Sequence, residues 1–268
     1  MNDTLNIIKK YGLSTKKKFG QNFLVDKSLL DRIVGVSGDI FNKNVLEIGP
    51  GPGGLTRSIL EKNPKKLVSV EIDEDLFKIL KDEFSKYNNF FVENEDALQI
   101  DETKYFDGNI NVIANLPYNV GTVLLTKWLN NLAIFDSFVL LLQKEVVERI
   151  VAIPSTKDYG RLSVMVQALC YPKKEFDVKP SFFIPPPKVV SSVVKIVPRN
   201  DFGNVNIEKL SKITFALFNQ RRKKIKGAVE SLIKNNMLDS KCLDGLDLNK
   251  RAEELTVSEF IELSKFSY

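Results

Sequence analysis

The chain has 268 residues and a net charge of +5 at pH 7, with 43% hydrophobic and 27% charged residues. These values predict a globular protein with one large α/β domain and a small second domain. Histidine is absent, which excludes histidine general bases, histidine-activated nucleophiles and histidine metal sites. Cys170 and Cys242 are too few for a zinc cluster or a disulfide framework, so we predict no metal site.

Residues 1–24 lack the apolar core of a signal peptide, and no later apolar stretch is long enough to span a bilayer. We therefore expect a soluble, cytoplasmic protein that acts as a monomer and has no membrane partner. The basic balance is compatible with an anionic partner.

Short apolar runs alternate with helical segments in the first half of the chain. Strands are predicted at 44–49, 66–73, 88–94, 110–115 and 136–143, and helices at 55–63 and after the cap residue Asp73. Strands separated by helices imply βαβ units and a parallel sheet that binds ligands at its carboxyl edge. A sixth strand is predicted at 189–197.

Beyond Pro198 the composition changes, and the chain reads as helical with no strand pattern. We therefore predict a domain boundary near 200. The first domain, 1–199, would hold the sheet, and the second, 200–268, would be a small helical domain.

The segment IGPGPGGLT (48–56) lies between a predicted strand and a predicted helix. Its glycines satisfy G-x-G-x-x-G and Glu71 follows about 20 residues later, which is the fingerprint of NAD-binding proteins. Pro50 and Pro52, however, have no N–H group to offer to a phosphate. Glu47 adds negative charge beside the loop. These features favour a zwitterionic nucleoside without phosphates, and we predict S-adenosylmethionine.

Carboxylates follow the predicted strands at Glu71 and Asp96. Glu71 can accept hydrogen bonds from both ribose hydroxyls, and Asp96 can accept one from the adenine amino group. Either residue taken singly also reads as a solvated cap of a helix. Acidic residues at successive strand ends together favour a binding site for the methyl donor.

The fourth strand ends in Asn115-Leu116-Pro117-Tyr118. The exocyclic N6 of adenine is a weak nucleophile, because its lone pair is delocalised into the ring. The Asn115 side-chain oxygen and the Leu116 carbonyl, which Pro117 holds outside the α conformation, can accept the two amino hydrogens and expose that lone pair. The nitrogen then attacks a sulfonium methyl group, and its proton leaves to water. Neither histidine nor cysteine is needed.

An extruded base requires aromatic partners, and Tyr118 supplies one ring. Phe183, before the prolines at 185–187, is a candidate for the second, although core packing is an alternative role. Its neighbour Phe182 reads as the core residue of the pair. Extruding a base costs a few kcal/mol and each stack returns ~1–3 kcal/mol, so two rings roughly offset the cost.

Seven segments together resemble the 16S ribosomal RNA adenine dimethyltransferases, the kasugamycin-sensitivity methyltransferase family. They are KKKFGQNFL (16–24), VLEIGPGPGGLT (45–56), IANLPYNV (113–120), LLQKEVVERI (141–150), YGRLSVMVQ (159–167), FIPPPKVVSSVV (183–194) and FNQRRKKIKGA (218–228). The resemblance implies a Rossmann-like seven-stranded methyltransferase sheet with a small helical C-terminal domain. It also implies dimethylation of two adjacent adenosines near the 3′ end of the small-subunit RNA, with a role in subunit maturation.

The resemblance further implies site residues by motif position. Donor contacts fall at Asn22, Leu24, Gly49, Glu71, Asp96 and Asn115, and base handling at Asn115, Leu116, Tyr118 and Phe183. Phe182 stands where a smaller residue is common in the family, which leaves open which ring stacks on the base.

Contacts to 16S rRNA in the 30S subunit or its precursor are predicted at basic residues. They are Arg221, Arg222, Lys223, Lys224, Arg149 and Arg161, with a further cluster at 16–18. Such groups suit phosphates, whereas the ordinary alternative is a solvated helix face. Segment 221–226 is predicted to lie on a helix, and the adjacent Phe215 and Phe218 suggest that this helix is docked.

Three other interpretations remain open at this stage. A macrolide-resistance dimethylase, which modifies large-subunit RNA, shares the glycine loop and the Asn-x-Pro-Tyr tip. A non-catalytic RNA-binding or ribosome-assembly factor could keep the same fold. An NAD-dependent oxidoreductase would fit the glycine pattern but not Pro50 and Pro52.

Overall fold

The computed structural model describes residues 3–16, 20–118 and 120–268. The helices are α1 (Asp3–Lys10), α2 (Lys27–Val36), α3 (Gly54–Leu60), α4 (Glu74–Glu83), α5 (Gly121–Leu129), α6 (Lys144–Val151), α7 (Arg161–Leu169), α8 (Ile207–Phe218), α9 (Lys226–Lys234) and α10 (Val257–Lys265). The strands are β1 (Phe23–Leu24), β2 (Asn44–Ile48), β3 (Lys66–Val70), β4 (Phe90–Glu93), β5 (Ile110–Asn115), β6 (Phe135–Gln143), β7 (Cys170–Val178), β8 (Phe183–Ile184) and β9 (Ser191–Pro198).

The chain folds into two compact units. The first comprises Met1–Val147 and Lys173–Val197, and the second comprises Glu148–Pro172 and Pro198–Tyr268. The predicted boundary near 200 lies close to the last of these divisions. Segment 148–172, which the prediction gave to the first domain, belongs to the helical unit instead, because α7 packs on α8 and α10.

Seven strands form one sheet with the order β4-β3-β2-β5-β6-β9-β7. The strands from β4 to β6 run parallel to their neighbours, and β9 runs antiparallel to β6. This arrangement confirms the predicted Rossmann-like seven-stranded sheet. In the register Ile48 pairs with Val70, and Val70 pairs with Glu93, so three parallel strands end at one level. Loops that follow them therefore meet at one edge of the sheet.

Each predicted strand is present, with ends within three residues of the prediction. Every residue of β2 is buried, as expected of a central parallel strand covered on both faces. After β3 the chain turns into α4, whose N-terminus is capped by the Asp73 side chain. Leu76, Leu80 and Phe84 of this segment are buried and Ile79 is half-buried.

Three strands escaped prediction. β7 is an edge strand in which only Cys170 and Val178 are buried, so it lacks the apolar pattern of the inner strands. β1 and β8 have two residues each and pair antiparallel, with Leu24 opposite Phe183. Strands so short carry no detectable periodicity.

The second unit is helical, in agreement with the predicted C-terminal fold. Phe218 stacks on Phe260 with ring centroids 5.3 Å apart, and the buried Tyr159 donates from its hydroxyl to the Leu255 carbonyl at 2.9 Å. None of the helices in the described parts of either unit is long and apolar enough to cross a membrane.

The prediction of a helix over 221–226 is wrong for most of that segment. α8 ends at Phe218 and α9 begins at Lys226, so the basic residues lie in the connection between them. Within it, the Ile225 N–H donates to the Lys250 carbonyl at 2.9 Å. A helix through this segment would bring like charges four residues apart, Arg222 and Lys226, onto one face, which is destabilising.

Candidate active site

A cavity opens at the carboxyl ends of β2, β3, β4 and β5. All nine residues predicted for donor and base contacts line it: Asn22, Leu24, Gly49, Glu71, Asp96, Asn115, Leu116, Tyr118 and Phe183. The sequence analysis missed other lining residues, among them Gln21, Phe23, Ile72 and Ala97. Each of these is next to a predicted residue in the chain, and that position is the only sequence signal by which they could have been found.

The glycine N–H groups of residues 49–53 form hydrogen bonds within the protein. Gly49 donates to the Val70 carbonyl at 3.0 Å, Gly53 donates to the Pro50 carbonyl at 3.0 Å, and Gly51 donates to Glu71 Oε2 at 3.2 Å. Together with the two prolines, these bonds leave residues 49–53 with no free N–H group for a pyrophosphate.

Close packing explains why the loop needs glycine. Gly51 has a φ of +57°, and a Cβ there would lie 3.3 Å from the ring of Phe23. Gly53 has a φ of +83°, and a Cβ there would lie 2.4 Å from the ring of Phe84. A side chain at either position would therefore be strained and crowded.

Glu71 stands at the end of β3 with only 4% of its surface exposed. Its Oε2 accepts from Gly51, and its Oε1 accepts from the Asp73 N–H at 2.9 Å. Burial raises the pKa of Glu71 to about 7, although both N–H groups favour the charged form. Each carboxylate oxygen keeps a second lone pair, so hydroxyl groups in the cavity can donate to it.

The prediction that Glu47 adds negative charge beside the ligand is wrong. It is fully buried, does not line the cavity, and accepts from the hydroxyls of Thr56 and Ser69 at 2.7 Å each. Its Oε1 has no hydrogen-bond partner among the described residues. Burial raises the pKa of Glu47 to about 7, and the nearby charge of Glu71 adds to the rise. Because Glu47 lies in the interior beneath the loop, it presents no charge to a ligand.

Asp96 is exposed in the loop after β4, where its Oδ1 accepts from the Leu98 N–H at 2.9 Å. The same loop is held from below by Lys127 of α5, whose ammonium donates to the Ala97 carbonyl at 3.1 Å and to the Ile100 carbonyl at 2.6 Å. The backbone around Asp96 is therefore fixed from the helix side of the sheet.

The tip of β5 orients its polar groups. Asn115 Nδ2 donates to the Asn22 carbonyl at 3.4 Å, which directs the other end of the amide, Oδ1, away from that carbonyl. The Leu116 N–H donates to the Leu141 carbonyl at 3.2 Å and anchors the peptide before Pro117. The tip thus carries two oxygen acceptors, the Asn115 side chain and the Leu116 backbone, on a fixed frame.

The Tyr118 ring is held by its hydroxyl, which lies 2.8 Å from Ser191 Oγ at the start of β9. The phenol is half-buried, and burial raises its pKa. Such a ring has one fixed orientation beside the cavity.

The two phenylalanines before the prolines differ in burial, and the prediction that Phe182 is the core residue of the pair is wrong. Phe183 is 2% exposed and packs in the core cluster, and it also lines the cavity. Phe182, expected in the core, is only partly buried at the edge of that cluster. The pairing of β8 with β1 alternates the side chains and turns Phe183 inward.

The segment before β1 also packs on this site. Lys16 forms ion pairs with Asp73 at 2.8 Å and Asp75 at 2.6 Å, and Gln21 donates to Asp73 at 3.0 Å. Lys16 is therefore engaged with the start of α4, contrary to the expected phosphate contact. The other two basic residues of that cluster, at 17 and 18, lie outside the described residues.

Apart from the cluster at 16–18, the cations predicted to contact RNA belong to the second unit. Arg221 donates to Glu253 at 2.7 Å and to the Thr156 carbonyl at 3.1 Å, and Lys224 donates to Asn249 at 2.9 Å. Arg222, Lys223, Lys224, Arg149 and Arg161 are all exposed, whereas Arg221 is half-buried. Within the run at 221–224, Arg221 is therefore the residue most enclosed by the protein.

The seven-stranded Rossmann-like sheet carries a glycine loop, a buried acid after its second parallel strand and an Asn-Leu-Pro-Tyr tip around one cavity. This combination is that of a Rossmann-like methyltransferase. The sequence profile described as "Ribosomal RNA adenine dimethylase" matches residues 12–267. The chain belongs to the ribosomal RNA adenine dimethylase family, and it is an rRNA adenine dimethyltransferase.

Relatives and solved structures agree with this assignment. The chain is 43% identical over 265 residues to the ribosomal RNA small subunit methyltransferase A of Wolbachia sp. subsp. Drosophila simulans, covering 96% of this chain and 95% of that protein. It is 42% identical to the protein of that name from Zymomonas mobilis, covering 97% and 94%. A dimethyladenosine transferase from Plasmodium falciparum superposes with a TM-score of 0.77 at 28% identity, covering 90% and 95%. The 23S rRNA methyltransferase ErmE shares the fold, with a TM-score of 0.69 at 23% identity over 92% and 99%.

Proposed function

We propose that this enzyme uses S-adenosylmethionine to dimethylate N6 of two adjacent adenosines near the 3′ end of 16S rRNA, within the 30S subunit or its precursor. The support is the family together with relatives named ribosomal RNA small subunit methyltransferase A at 40% to 44% identity. We propose that it works as a monomer in the cytoplasm, where bacterial ribosomes assemble, and that methylation accompanies subunit maturation.

The cavity suits a nucleoside donor without phosphates. Glu71 can accept from ribose hydroxyls, and Asp96 can accept from an adenine amino group, while the N–H groups of Gly49 and Gly51 are already engaged. Asn22 and Leu24 also line the cavity. When bound there, S-adenosylmethionine supplies an electrophilic methyl group on a positively charged sulfur.

The single observation that carries the proposal is the orientation of the tip of β5. Because Asn115 Nδ2 is bonded to the Asn22 carbonyl, its Oδ1 is available to accept one hydrogen of the target amino group. The Leu116 carbonyl accepts the other. These two bonds draw N6 toward a tetrahedral geometry and expose its lone pair. With the donor bound, N6 would form a bond to the methyl carbon as the carbon–sulfur bond breaks to leave a neutral thioether, and one amine proton would then pass to water.

We propose that the target base is held between Tyr118 and Phe183. The Ser191 hydroxyl fixes the first ring, and the second is the inward-facing ring of β8. Because Phe183 is buried, it must expose its face when a base enters. Stacking of ~1–3 kcal/mol per ring offsets the few kcal/mol of base extrusion.

We propose that the second unit provides the phosphate contacts through its exposed cations, which are Arg222, Lys223, Lys224, Arg149 and Arg161. Such contacts supply affinity and register without reading sequence. The functional domains would then be a catalytic part within 1–199 and an RNA-binding part centred on 200–268.

The test is methyl transfer to defined ribosomal particles. The protein is incubated with labelled donor and undermethylated small subunits, and N6,N6-dimethyladenosine is sought by nuclease digestion and mass spectrometry. We expect Asn115→Ala to lower the rate about 100-fold or more, since it removes a preorganised polar group. Asn88→Ala, at an exposed surface position, is the matched control. Label found only in large-subunit RNA, or full activity of Asn115→Ala, contradicts the proposal.

A further inference from the structure

An exposed aromatic ring stands beside an arginine on the second unit. Phe215 of α8 is 64% exposed, although its neighbours Thr214 and Leu217 are buried. The guanidinium of Arg161, at the start of α7, lies 5.5 Å from the centroid of that ring. The sequence analysis expected Phe215 to dock the helix, and the structure turns the ring to solvent instead.

The arginine is held in this position. Arg161 donates from Nη2 to Ser211 Oγ at 2.7 Å, one turn before Phe215 on the same helix. Ser163 of the first turn of α7 donates to the Arg149 carbonyl at 2.5 Å, so a second exposed arginine belongs to the same corner of the unit. An apolar face therefore adjoins fixed positive charge.

We propose that Phe215 and Arg161 form a stacking subsite for one unpaired nucleotide of the substrate RNA, with the base on the ring and its phosphate against the guanidinium. This subsite rests on the proposed function. It lies in the helical unit and is additional to the rings that handle the target base.

The chemistry of the pair favours a nucleotide over other occupants. A base offers a π-face to the ring, and the adjoining phosphate offers the negative charge that the guanidinium requires. A purely apolar partner would have to desolvate Arg161 without compensation. Phe41 shows the contrast, because it is 65% exposed but its own N–H is bonded to the carboxylate of Asp39, which would repel a phosphate.

The experiment compares matched variants in binding to undermethylated small subunits and to a single-stranded oligoadenylate ten nucleotides long. We expect Phe215→Leu to weaken binding to the subunits about fivefold or more, and Phe215→Trp to stay within about twofold of the parent. Phe41→Leu, the control of equal exposure, should also stay within about twofold. Arg161→Gln should reduce the slope of log affinity against log salt by about one, whereas Phe215→Leu should leave that slope unchanged.

Each outcome bears on one proposal. If the parent protein fails to methylate the subunits, the proposed function falls. If the parent methylates them but Phe215→Leu binds as tightly as Phe41→Leu, the subsite falls and the ring serves another partner or none. Unaltered affinity of Phe215→Leu for the oligoadenylate, or an unaltered salt slope for Arg161→Gln, also overturns the assignment to a nucleotide.

Discussion

The ammonium of Lys127 donates to the backbone carbonyl of Ala97 at 3.1 Å and so fixes the Ala97–Leu98 peptide, whose N–H donates to Asp96 Oδ1. The same ammonium reaches the Ile100 carbonyl at 2.6 Å and Glu102 Oε1 at 2.8 Å. Three acceptors around one cation hold the loop that carries the proposed adenine contact. Lys127 therefore acts on the donor site from outside the cavity.

We expect Lys127→Ala to weaken donor binding about tenfold, because bonds to a charged group are worth roughly 1.5–3 kcal/mol each and part of that energy orients the loop. Lys127→Arg should recover much of the loss. The measurement is the donor dissociation constant by calorimetry, together with the methylation rate at saturating donor. Lys78→Ala, which breaks an exposed pair with Glu74, is the control. A fall in saturated rate without a change in donor affinity would contradict the positioning role.

The second prediction concerns Glu47 and pH. Its pKa is raised to about 7 from an ordinary 4.5, so between those values the folded protein binds a proton that the unfolded chain has lost. Stability must therefore fall as pH rises through this window. Glu47→Gln cannot ionise and should remove much of that fall, which for a shift of this size is of order 3 kcal/mol.

The measurement is the thermal unfolding midpoint from about pH 5 to about pH 8.5. Glu71 has a similar pKa, and hence a Glu71→Gln variant serves as a comparison, because it should flatten the profile to a similar extent while also weakening donor binding. Parallel profiles for the parent protein and Glu47→Gln would sink this prediction.

The contributions of the Tyr118 ring and of its hydroxyl can be measured with separate variants. Removing the hydroxyl in Tyr118→Phe loses only the bond to Ser191 and keeps the stacking face, so we expect a drop of no more than about fivefold in methylation rate, matched by Ser191→Ala. Tyr118→Leu removes the π-face and should lower the rate by a further factor of about ten or more. Single-turnover assays on small subunits provide the comparison. Equal rates for the Phe and Leu variants would rule out a stacking role.

Arg221 and Arg222 should behave differently when their charge is reversed. Arg221→Glu breaks the bonds to Glu253 and the Thr156 carbonyl, so we expect a lower thermal midpoint as well as weaker binding to small subunits. Arg222→Glu, at an exposed position, should weaken subunit binding with little change in midpoint. Donor affinity should stay unchanged in both, and a collapse of donor affinity in Arg222→Glu would show that the connection is structural.

Most residues that line the cavity could be predicted from the sequence, because they follow strands with a clear apolar pattern. Glu71 and Asn115 each end a short, strongly apolar strand, and parallel strands bring such ends together. The roles within one dipeptide were not predictable. Phe183 begins β8 whereas Phe182 ends the turn before it, and the inward position of Phe183 is set by pairing with β1, a partner about 160 residues away.

Glu47 and the basic connection show a second limit. Burial of Glu47 depends on the Thr56 and Ser69 hydroxyls that reach it from α3 and β3, and no local pattern reports such contacts. Similarly, the fate of Arg221 depends on Glu253, far along the chain. Sequence patterns indicate the chemistry available to a residue, whereas its burial and bonding depend on partners that are distant in the chain.

The pairing of Leu24 with Phe183 also affects when the cavity can form during synthesis of the chain. During translation β1 emerges early and must wait for β8, which at roughly 5–20 residues per second takes on the order of ten seconds. Until then the donor cavity has only part of its wall. A nascent or prematurely terminated chain that ends before β8 would thus lack the Phe183 ring and the strand that pairs with Leu24.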